Sequence, residues 1–279
     1  MATPIGNLAD ISLRALHLLQ LADALACEDT RHTQALLRAY GIDKSPAQML
    51  AVHEHNEAQA AQAVIERLHR GERVAYASDA GTPAVSDPGA RLVAAVREAG
   101  LRIVPMPGPS SLTAALSVAG ATGDGGAFVF AGFLPVKAGE REAAVSRLAH
   151  ETRTVVLLEA PHRIEPLARA LAPLGQRPVT VCRELTKQFE EVATVACAEL
   201  AAWLVADPQR TRGEFALVLH AAPQAPQGDD GLRVLALLLQ ELPVKTAVKI
   251  AAEITGGSRN ALYQSALALK AKQAGADPS

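Results

Sequence analysis

Aromatic residues are scarce in this chain and make up 3% of its 279 residues, although apolar residues together reach 49%. Ala, Leu and Val must therefore form most of the core, which favours Ala-rich helices packed on Val-rich strands. A chain of this length can bury a large core, and we expect it to divide into two or three units.

Cysteine is also rare, with only Cys27, Cys182 and Cys197 present. Their odd number, their wide spacing and the lack of a C-x-x-C pair exclude a disulfide framework and argue against structural zinc. This usage predicts a reducing, cytoplasmic location. No apolar run has the length of a membrane span and no signal peptide opens the chain, so we expect no membrane association.

The sequence lacks both common phosphate-binding motifs, G-x-G-x-x-G and G-x-x-x-x-G-K-[ST]. It has instead eight loops rich in Pro, Gly and charged residues, each beside a predicted strand end. Such loops form the usual ligand crevice of an open α/β sheet. They are ATPIGN (2–7), ACEDTRHT (26–33), HEHNE (53–57), SDAGTPAVSDPG (78–89), PMPGPSS (105–111), EAPHR (159–163), CRELTK (182–187) and GEF (213–215).

Short apolar runs alternate with helical patterns in the first half, which predicts a mostly parallel α/β sheet. One predicted strand is LRIVPMPG (101–108), and one predicted helix spans 56–71 with Asn56 as its N-cap. Later strand-like runs have fewer long helices between them, which indicates a second α/β domain with a mixed sheet. The expected divisions are an N-terminal α/β domain (1–118), a second α/β domain (119–222), a linker (223–231) and a helical unit (232–275).

The helical unit is basic although the net charge of the chain is −2. Residues 232–279 carry six basic and three acidic side chains, whereas the rest carries 21 basic and 26 acidic ones. Three short helices with the turn TGGS between the last two resemble a helix-turn-helix unit. Two interpretations stay open, contact with a polyanion such as RNA and an apolar helical cap on the body.

The order of the motifs ATPIGNLADI, CEDTRHT, HEHNE, SDAGTPAVSDPG, PGPS, FAGFLP, EAPHRI, RELTKQFEE and GEF resembles the tetrapyrrole methylase superfamily. Within it the chain is similar to the 16S rRNA cytidine 2′-O-methyltransferases over nearly its whole length. The resemblance implies S-adenosylmethionine as cofactor, bound in a cleft between two α/β domains, and a homodimer that acts on the decoding centre of 16S rRNA in the 30S subunit. Members usually begin with an apolar strand ahead of ATPIGN, where this sequence has only Met1, so we expect that strand to be truncated or very short.

The resemblance also implies the cofactor-binding residues. They are Ile5, Asp79, Ala80, Gly81, Pro83, Val85, Ser110, Ser111, Leu158, Cys182, Glu214 and Phe215. A carboxylate such as Asp79 suits the ammonium group or the ribose hydroxyls of the cofactor, and the structural alternative is the cap of an Asx-type turn. Ser110 and Ser111 could likewise be a plain N-cap pair.

Methyl transfer to a 2′-hydroxyl is a direct displacement that a general base assists. Of the charged residues in the loops, Glu159 and Glu184 are the first candidates for that base. Lys187 is assigned to orientation or phosphate contact, and Asp29 is a further catalytic candidate. An ion pair with a nearby Arg is the structural alternative for Glu184.

The resemblance to RNA-modifying enzymes makes the basic loop residues candidates for phosphate contact, with structural ion pairs as the alternative. The predicted RNA-binding residues are Arg31, His53, Arg163, Arg183, Lys245, Lys249 and Arg259. His53 and His55 also suggest a metal, but a zinc or iron site needs a third ligand, so we expect none. Two rival functions stay open, a methyltransferase for a corrinoid or porphyrin-type molecule and a non-catalytic RNA-binding module.

Overall fold

The alternation of strands and helices predicted for the first half is present in the computed structural model, which describes residues 1–53, 56–86, 88–222 and 227–274. The chain forms two compact units, Met1–Ala222 and Pro223–Ser279. In its described residues, the first unit contains two separate sheets, one of three strands and one of five. The division of this unit into domains 1–118 and 119–222 stays a prediction.

The three-stranded sheet is parallel, with strand order β2-β1-β3. Its strands are β1 (Ala24–Cys27), β2 (Met49–Ala51) and β3 (Val74–Ala77). The helices of this part are α1 (Leu13–Leu21), α2 (Thr30–Ala39), α3 (Glu57–His69), α4 (Ala90–Glu98) and α5 (Ser111–Ala119). Ser12 and Asp29 accept backbone N–H bonds at the starts of α1 and α2, as N-cap residues do.

The five-stranded sheet is mixed, with strand order β4-β5-β8-β6-β7, which confirms the mixed sheet expected for the second half. Its strands are β4 (Phe128–Gly132), β5 (Thr154–Glu159), β6 (Pro178–Arg183), β7 (Glu191–Ala196) and β8 (Phe215–Leu219). Its helices are α6 (Ala138–Leu148), α7 (Ile164–Leu171) and α8 (Leu200–Val205). The apolar faces of α7 and α8 cover a core of Val and Leu side chains from the inner strands.

The second unit consists, in the described residues, of the helices α9 (Gln227–Glu241), α10 (Val244–Thr255) and α11 (Arg259–Ala274). Leu235, Ala251 and Leu262 are among the buried residues that join the three helices. Gly256 ends α10 in the left-handed conformation, with φ +69°. The three-helix pattern predicted from the sequence is present.

The strand predicted at residues 101–108 is wrong, because this stretch has no regular secondary structure. Ile103 and Val104 are 38% and 50% exposed, respectively. A strand requires a hydrogen-bonded neighbour, and in the described residues no strand pairs with this stretch. Its apolar run fits a strand, but one backbone bond, from Ala2 N to Met106 O at 3.2 Å, does not make a ladder.

Candidate active site

A cavity of about 300 Å³ lies at one edge of the five-stranded sheet. This volume is at the lower end of the range for small-molecule sites. Most of its wall is apolar, and two carboxylates interrupt it. The cavity is lined by Ile5, Ser111, Phe133, Leu158, Glu159, Ala160, Pro161, Cys182, Leu185, Glu214, Phe215 and Ala216.

Strand direction explains why residues so distant in sequence meet here. β4 and β5 are parallel, and both β5 and β6 are antiparallel to β8. The carboxyl ends of β4, β5 and β6 therefore share one sheet edge with the amino end of β8. In the register of the sheet, Glu159 and Arg183 both pair with Phe215, which places the three residues in one row.

Glu159 is the buried acidic residue of the cavity wall. Its Oε1 accepts a hydrogen bond from the Ala160 amide at 2.9 Å and lies 3.1 Å from Nε of Arg163. Its Oε2 is buried and has no hydrogen-bond partner among the described residues. A buried carboxylate oxygen without a donor is costly, so this atom is an acceptor left for a group other than the described residues.

Glu184, Lys187 and Glu214 form a second charged group, beside the cavity. Lys187 Nζ lies 2.9 Å from Glu184 Oε1 and 3.0 Å from Glu214 Oε2. The same Glu184 oxygen accepts the Glu214 amide at 2.9 Å. The Lys187 stem passes directly over Gly6, where a Cβ would come within 2.3 Å of it. This contact brings the ATPIGN loop to the CRELTK loop.

These contacts keep both Glu184 and Lys187 charged. Partial burial raises the pKa of Glu184, but the hydrogen bonds from Lys187 and the Glu214 amide lower it by more, so the net pKa is below its ordinary value. Partial burial lowers the pKa of Lys187, but its bonds to the two carboxylates raise it by more. The backbone here is strained, since Glu184 and Thr186 have φ of +52° and +66°. The pKa shifts favour an orienting role for this pair over proton acceptance.

The loop SDAGTPAVSDPG is held against the ATPIGN loop. Thr3 and Gly81 exchange two backbone hydrogen bonds of 3.0 Å, and Thr82 Oγ1 donates to Pro109 O at 3.2 Å. Ala84 and Ser86 adopt the left-handed conformation, at φ +64° and +66°. Strained residues of this kind cluster at functional sites.

Of the predicted cofactor residues, the structure brings six to the cavity wall. These are Ile5, Ser111, Leu158, Cys182, Glu214 and Phe215. Six others are not among its lining residues, namely Asp79, Ala80, Gly81, Pro83, Val85 and Ser110. Gly81 is nevertheless close, because a Cβ there would lie 3.4 Å from the side chain of Ile5. Burial raises the pKa of Cys182 to about 11, so its thiol is neutral.

Sequence reasoning missed five lining residues, namely Phe133, Ala160, Pro161, Leu185 and Ala216. Four of them lie within the motifs FAGFLP, EAPHRI and RELTKQFEE, so the motifs themselves carried the signal. Glu159, predicted as catalytic, lies on the wall, whereas Glu184, Lys187 and Asp29 are not among the lining residues.

Asp29 is engaged elsewhere, at the start of α2. Its carboxylate accepts the Arg31 amide at 2.8 Å and pairs with the Arg31 guanidinium. The Arg31 hydrogen bonds hold the pKa of Asp29 well below its usual range. Its own amide donates to Asp79 Oδ1 at 3.2 Å, so Asp79 links the CEDTRHT loop to the SDAGTPAVSDPG loop.

Arg163 and Arg183 are mostly buried and are bonded within the protein. Arg163 pairs with Glu159 and donates to the Leu134 carbonyl. Arg183 lies 3.5 Å from Glu191 and donates to the Phe189 carbonyl at 3.0 Å. These contacts favour the structural alternative for both guanidinium groups.

The other predicted RNA-binding residues are accessible. Arg31, His53, Lys245 and Lys249 are exposed, and Arg259 pairs with Glu253 at 3.1 Å. Lys245 and Lys249 lie one turn apart on α10. Glu54 and His55 of the HEHNE motif lie outside the described residues. Among the residues that the structure describes, no group of three His, Cys, Asp or Glu side chains could hold a metal ion.

Comparison with known proteins identifies the fold and the family of this chain. Residues 2–201 match the family model of Tetrapyrrole (Corrin/Porphyrin) Methylases, and residues 225–270 match the RsmI C-terminal HTH domain. A cobalt-precorrin-4 methyltransferase structure has the same fold, with a TM-score of 0.57 at 19% identity over 78% of this chain and 92% of that one. None of the helices in the described part of the chain is long and apolar enough to cross a membrane.

Relatives that match this chain over nearly its whole length identify its group within the family. Ribosomal RNA small subunit methyltransferase I of Escherichia coli O157:H7 is 46% identical over 95% of this chain and 92% of its own length. The protein of the same name from Pseudomonas aeruginosa is 46% identical over 98% and 97%. The chain belongs to the tetrapyrrole methylase family, and within it to the ribosomal RNA small subunit methyltransferase I group.

Proposed function

We propose that this protein transfers a methyl group from S-adenosylmethionine to the 2′-hydroxyl of a cytidine in the decoding centre of 16S rRNA. The observation that carries the proposal is a mostly apolar cavity whose wall includes Glu159, a buried carboxylate with an oxygen, Oε2, that has no hydrogen-bond partner in the described part of the chain. The proposal includes the 30S subunit as substrate, a cytoplasmic location and a homodimer. Light scattering of the purified protein tests the dimer, and a monomer mass at micromolar concentration contradicts it.

The cavity suits the methyl donor. S-adenosylmethionine supplies a methyl group activated by a positively charged sulfonium. The apolar side chains of Ile5, Leu158 and Phe215 would pack against its uncharged parts, and the carboxylates of Glu159 and Glu214 provide negative charge for its cationic groups. Six further residues remain proposed cofactor residues, namely Asp79, Ala80, Gly81, Pro83, Val85 and Ser110. The hydrogen bond from Thr82 to the Pro109 carbonyl joins their two loops. Gly81 of the first loop lies close to the side chain of Ile5.

Glu159 is the preferred general base. A proton from the attacking hydroxyl would pass to Oε2, while Oε1 stays bonded to the Ala160 amide and faces Arg163. Such a base contributes roughly 10²- to 10⁴-fold to a rate. The lowered pKa of Glu184 and of Asp29 makes each a weaker proton acceptor at neutral pH.

Lys187 is assigned to orient the acceptor strand. Glu184 and Glu214 hold its ammonium group in place, and its raised pKa keeps it protonated. These two carboxylates use two of its three N–H donors, which leaves one for an oxygen of the RNA. Further contacts to rRNA are proposed for the exposed Lys245 and Lys249 of α10 and for Arg31, His53 and Arg259. The two remaining arginines, Arg163 and Arg183, are proposed to position the site.

The test is methylation of 30S subunits prepared from a strain that lacks the modification, with mass mapping of the product. We expect one added methyl group on a cytidine ribose, dependent on S-adenosylmethionine. Methylation of a base, or of a corrinoid precursor in place of the RNA, would overturn the proposal. Failure to bind S-adenosylhomocysteine would favour a non-catalytic RNA-binding module.

A further inference from the structure

Phe133 is the exposed aromatic ring of the cavity wall. Part of the wall is deeply buried, including Cys182, Phe215 and Ala216, whereas Phe133 is 49% exposed. Phe133 therefore lines the cavity and is at the same time accessible from solvent. Its place in the cavity wall distinguishes Phe133 from Phe128 and Phe189, which are also exposed but are not lining residues.

The backbone that carries this ring is fixed at several points. Gly132, directly before it, has φ +60°. Leu134, directly after it, is buried, and its carbonyl accepts a hydrogen bond from Arg163. Arg141 Nη1 donates to the Val136 carbonyl at 2.8 Å. The ring thus lies on a braced loop, which lowers the entropy lost when a ligand stacks on it.

The strand order places the ring relative to the charged groups. Phe133 follows β4, Glu159 ends the adjacent β5, and Lys187 follows β6, three strand positions from β4. At about 4.8 Å per strand, the ring and the lysine are separated by roughly 14 Å along the sheet edge. Glu159 lies between them, nearer to the ring.

We propose that Phe133 stacks on the base of an RNA nucleotide at the methylation site, and so positions its ribose hydroxyl near Glu159. This inference rests on the proposed function. Single-stranded RNA bases stack on exposed aromatic rings, and their sugar and phosphate remain free to reach neighbouring polar groups. A ring on the strand next to that of a proton acceptor offers one contact each to the base and the ribose of a nucleotide. The deeper apolar wall is left to the cofactor.

The first experiment compares Phe133→Leu, which removes the flat ring, with Phe133→Trp, which keeps one. The matched control is Phe189→Leu, because Phe189 is 67% exposed and is not a lining residue. We expect Phe133→Leu to lower kcat/KM for 30S subunits roughly 5- to 100-fold, mainly through KM. Phe133→Trp and Phe189→Leu should stay within about twofold of the wild type, and all variants should bind S-adenosylhomocysteine and melt like the wild type.

Unchanged kcat/KM in Phe133→Leu would overturn the proposal. If Phe133→Leu also loses affinity for S-adenosylhomocysteine, the proposal is overturned too, because the ring would then be a contact to the cofactor. Equal losses in the Leu and Trp variants, with lowered melting temperatures, would show that the ring only supports the loop.

A second measurement does not depend on activity. Naked 16S rRNA contains no tryptophan, and the native Trp203 is common to all variants. The fluorescence that Phe133→Trp adds to that of the wild type can therefore be followed during titration, with Phe189→Trp as the control. Quenching specific to position 133 supports stacking even if the wild type proves not to methylate 30S subunits, in which case only the proposed reaction fails. An active wild type without quenching at position 133 would reject the stacking and leave the reaction standing.

Discussion

At the scale of single residues, the site depends on which carboxylates are free to accept a proton. Glu159 and Glu184 each have one bonded oxygen, but Oε2 of Glu159 is buried without a donor in the described residues, whereas the pKa of Glu184 is below its ordinary value. The Glu159→Gln variant keeps the shape of the side chain but cannot take up a proton. We expect its rate of methyl transfer in single turnovers to fall by roughly 10²- to 10⁴-fold.

The matched control for this prediction is Glu165→Gln, an exposed carboxylate on α7 that pairs with Arg169 at 3.6 Å. It should leave the rate unchanged. Calorimetry with S-adenosylhomocysteine separates the two possible roles of Glu159. A variant with full cofactor affinity and the wild-type rate would exclude Glu159 as the base, and a loss confined to cofactor affinity would make it a cofactor ligand.

The pKa of Glu184 leads to a prediction on stability. Its pKa is lower in the folded chain than in the unfolded one, so its carboxylate stabilises the fold above the unfolded pKa. This contribution is lost as the pH falls through the folded pKa. Glu184→Gln should therefore reduce the free energy of unfolding at pH 7 by about 1.5–3 kcal/mol, the usual value for hydrogen bonds to charged groups.

Urea unfolding at several pH values between 8 and 3 tests this prediction. The difference between the wild type and Glu184→Gln should be largest at neutral pH and should close in acid. Glu142→Gln, at an exposed position on α6, serves as the control and should show no such trend. A difference that stays constant down to pH 3 would show that the charge of Glu184 contributes nothing.

At the scale of elements, Glu57 connects α3 to α4. Its buried carboxylate accepts the Gly89 amide at 2.8 Å and the Arg91 amide at 3.2 Å, and α4 has no acidic residue in its own first turn. A carboxylate at a helix N-terminus satisfies free N–H groups and complements the helix dipole. Glu57→Ala should therefore cost about 1–2 kcal/mol in urea unfolding. Glu66→Ala, at an exposed position of the same helix, should change it by less than about 0.5 kcal/mol, and equal effects of the two would refute the cap.

The same helix shows what sequence reasoning could and could not predict. Helix α3 was expected at 56–71 and is found at Glu57–His69, because apolar periodicity and a terminal Gly71 are local signals. The side chain of Asn56 does not cap the helix but binds the His53 amide at 2.8 Å. The partners of Glu57 lie 32 and 34 residues further along the chain, so only the tertiary structure reveals its role.

The residues that line the cavity could likewise be predicted only in part from the sequence. The motifs predicted that strand-end loops meet, but not which of their side chains reach the wall. Phe133 follows a register shift between Phe130 and Gly132 in β4, and such a shift changes the face on which later side chains lie. Simple alternation along the strand therefore could not place this ring. The failed strand at 101–108 has a related cause, because pairing depends on neighbours that a local pattern does not contain.

At the scale of the whole molecule, the second unit has its own core of Leu235, Ala251 and Leu262, among others, and places Lys245 and Lys249 in solvent. The two lysines lie one turn apart on α10, so both can contact one RNA backbone. If they bind phosphates, each releases counterions, and the affinity for rRNA should fall steeply with salt. Deleting the chain from Gly231 onward would cut α9, which begins at Gln227. Point substitutions in the full chain are therefore a better test of phosphate contact by the two lysines.

We expect Lys245→Gln combined with Lys249→Gln to weaken binding to 16S rRNA and to reduce the slope of log affinity against log salt by about 1–2, since each phosphate contact contributes roughly 0.7–0.9. S-adenosylhomocysteine affinity and melting temperature should not change, because neither side chain is buried or lines the cavity. Arg14→Gln combined with Arg147→Gln removes the same charge from exposed positions of the first unit and is the matched control. If the second unit only covers apolar surface, both double variants keep the wild-type salt slope. A slope reduced equally in the two would indicate an effect of net charge and not a contact made by α10.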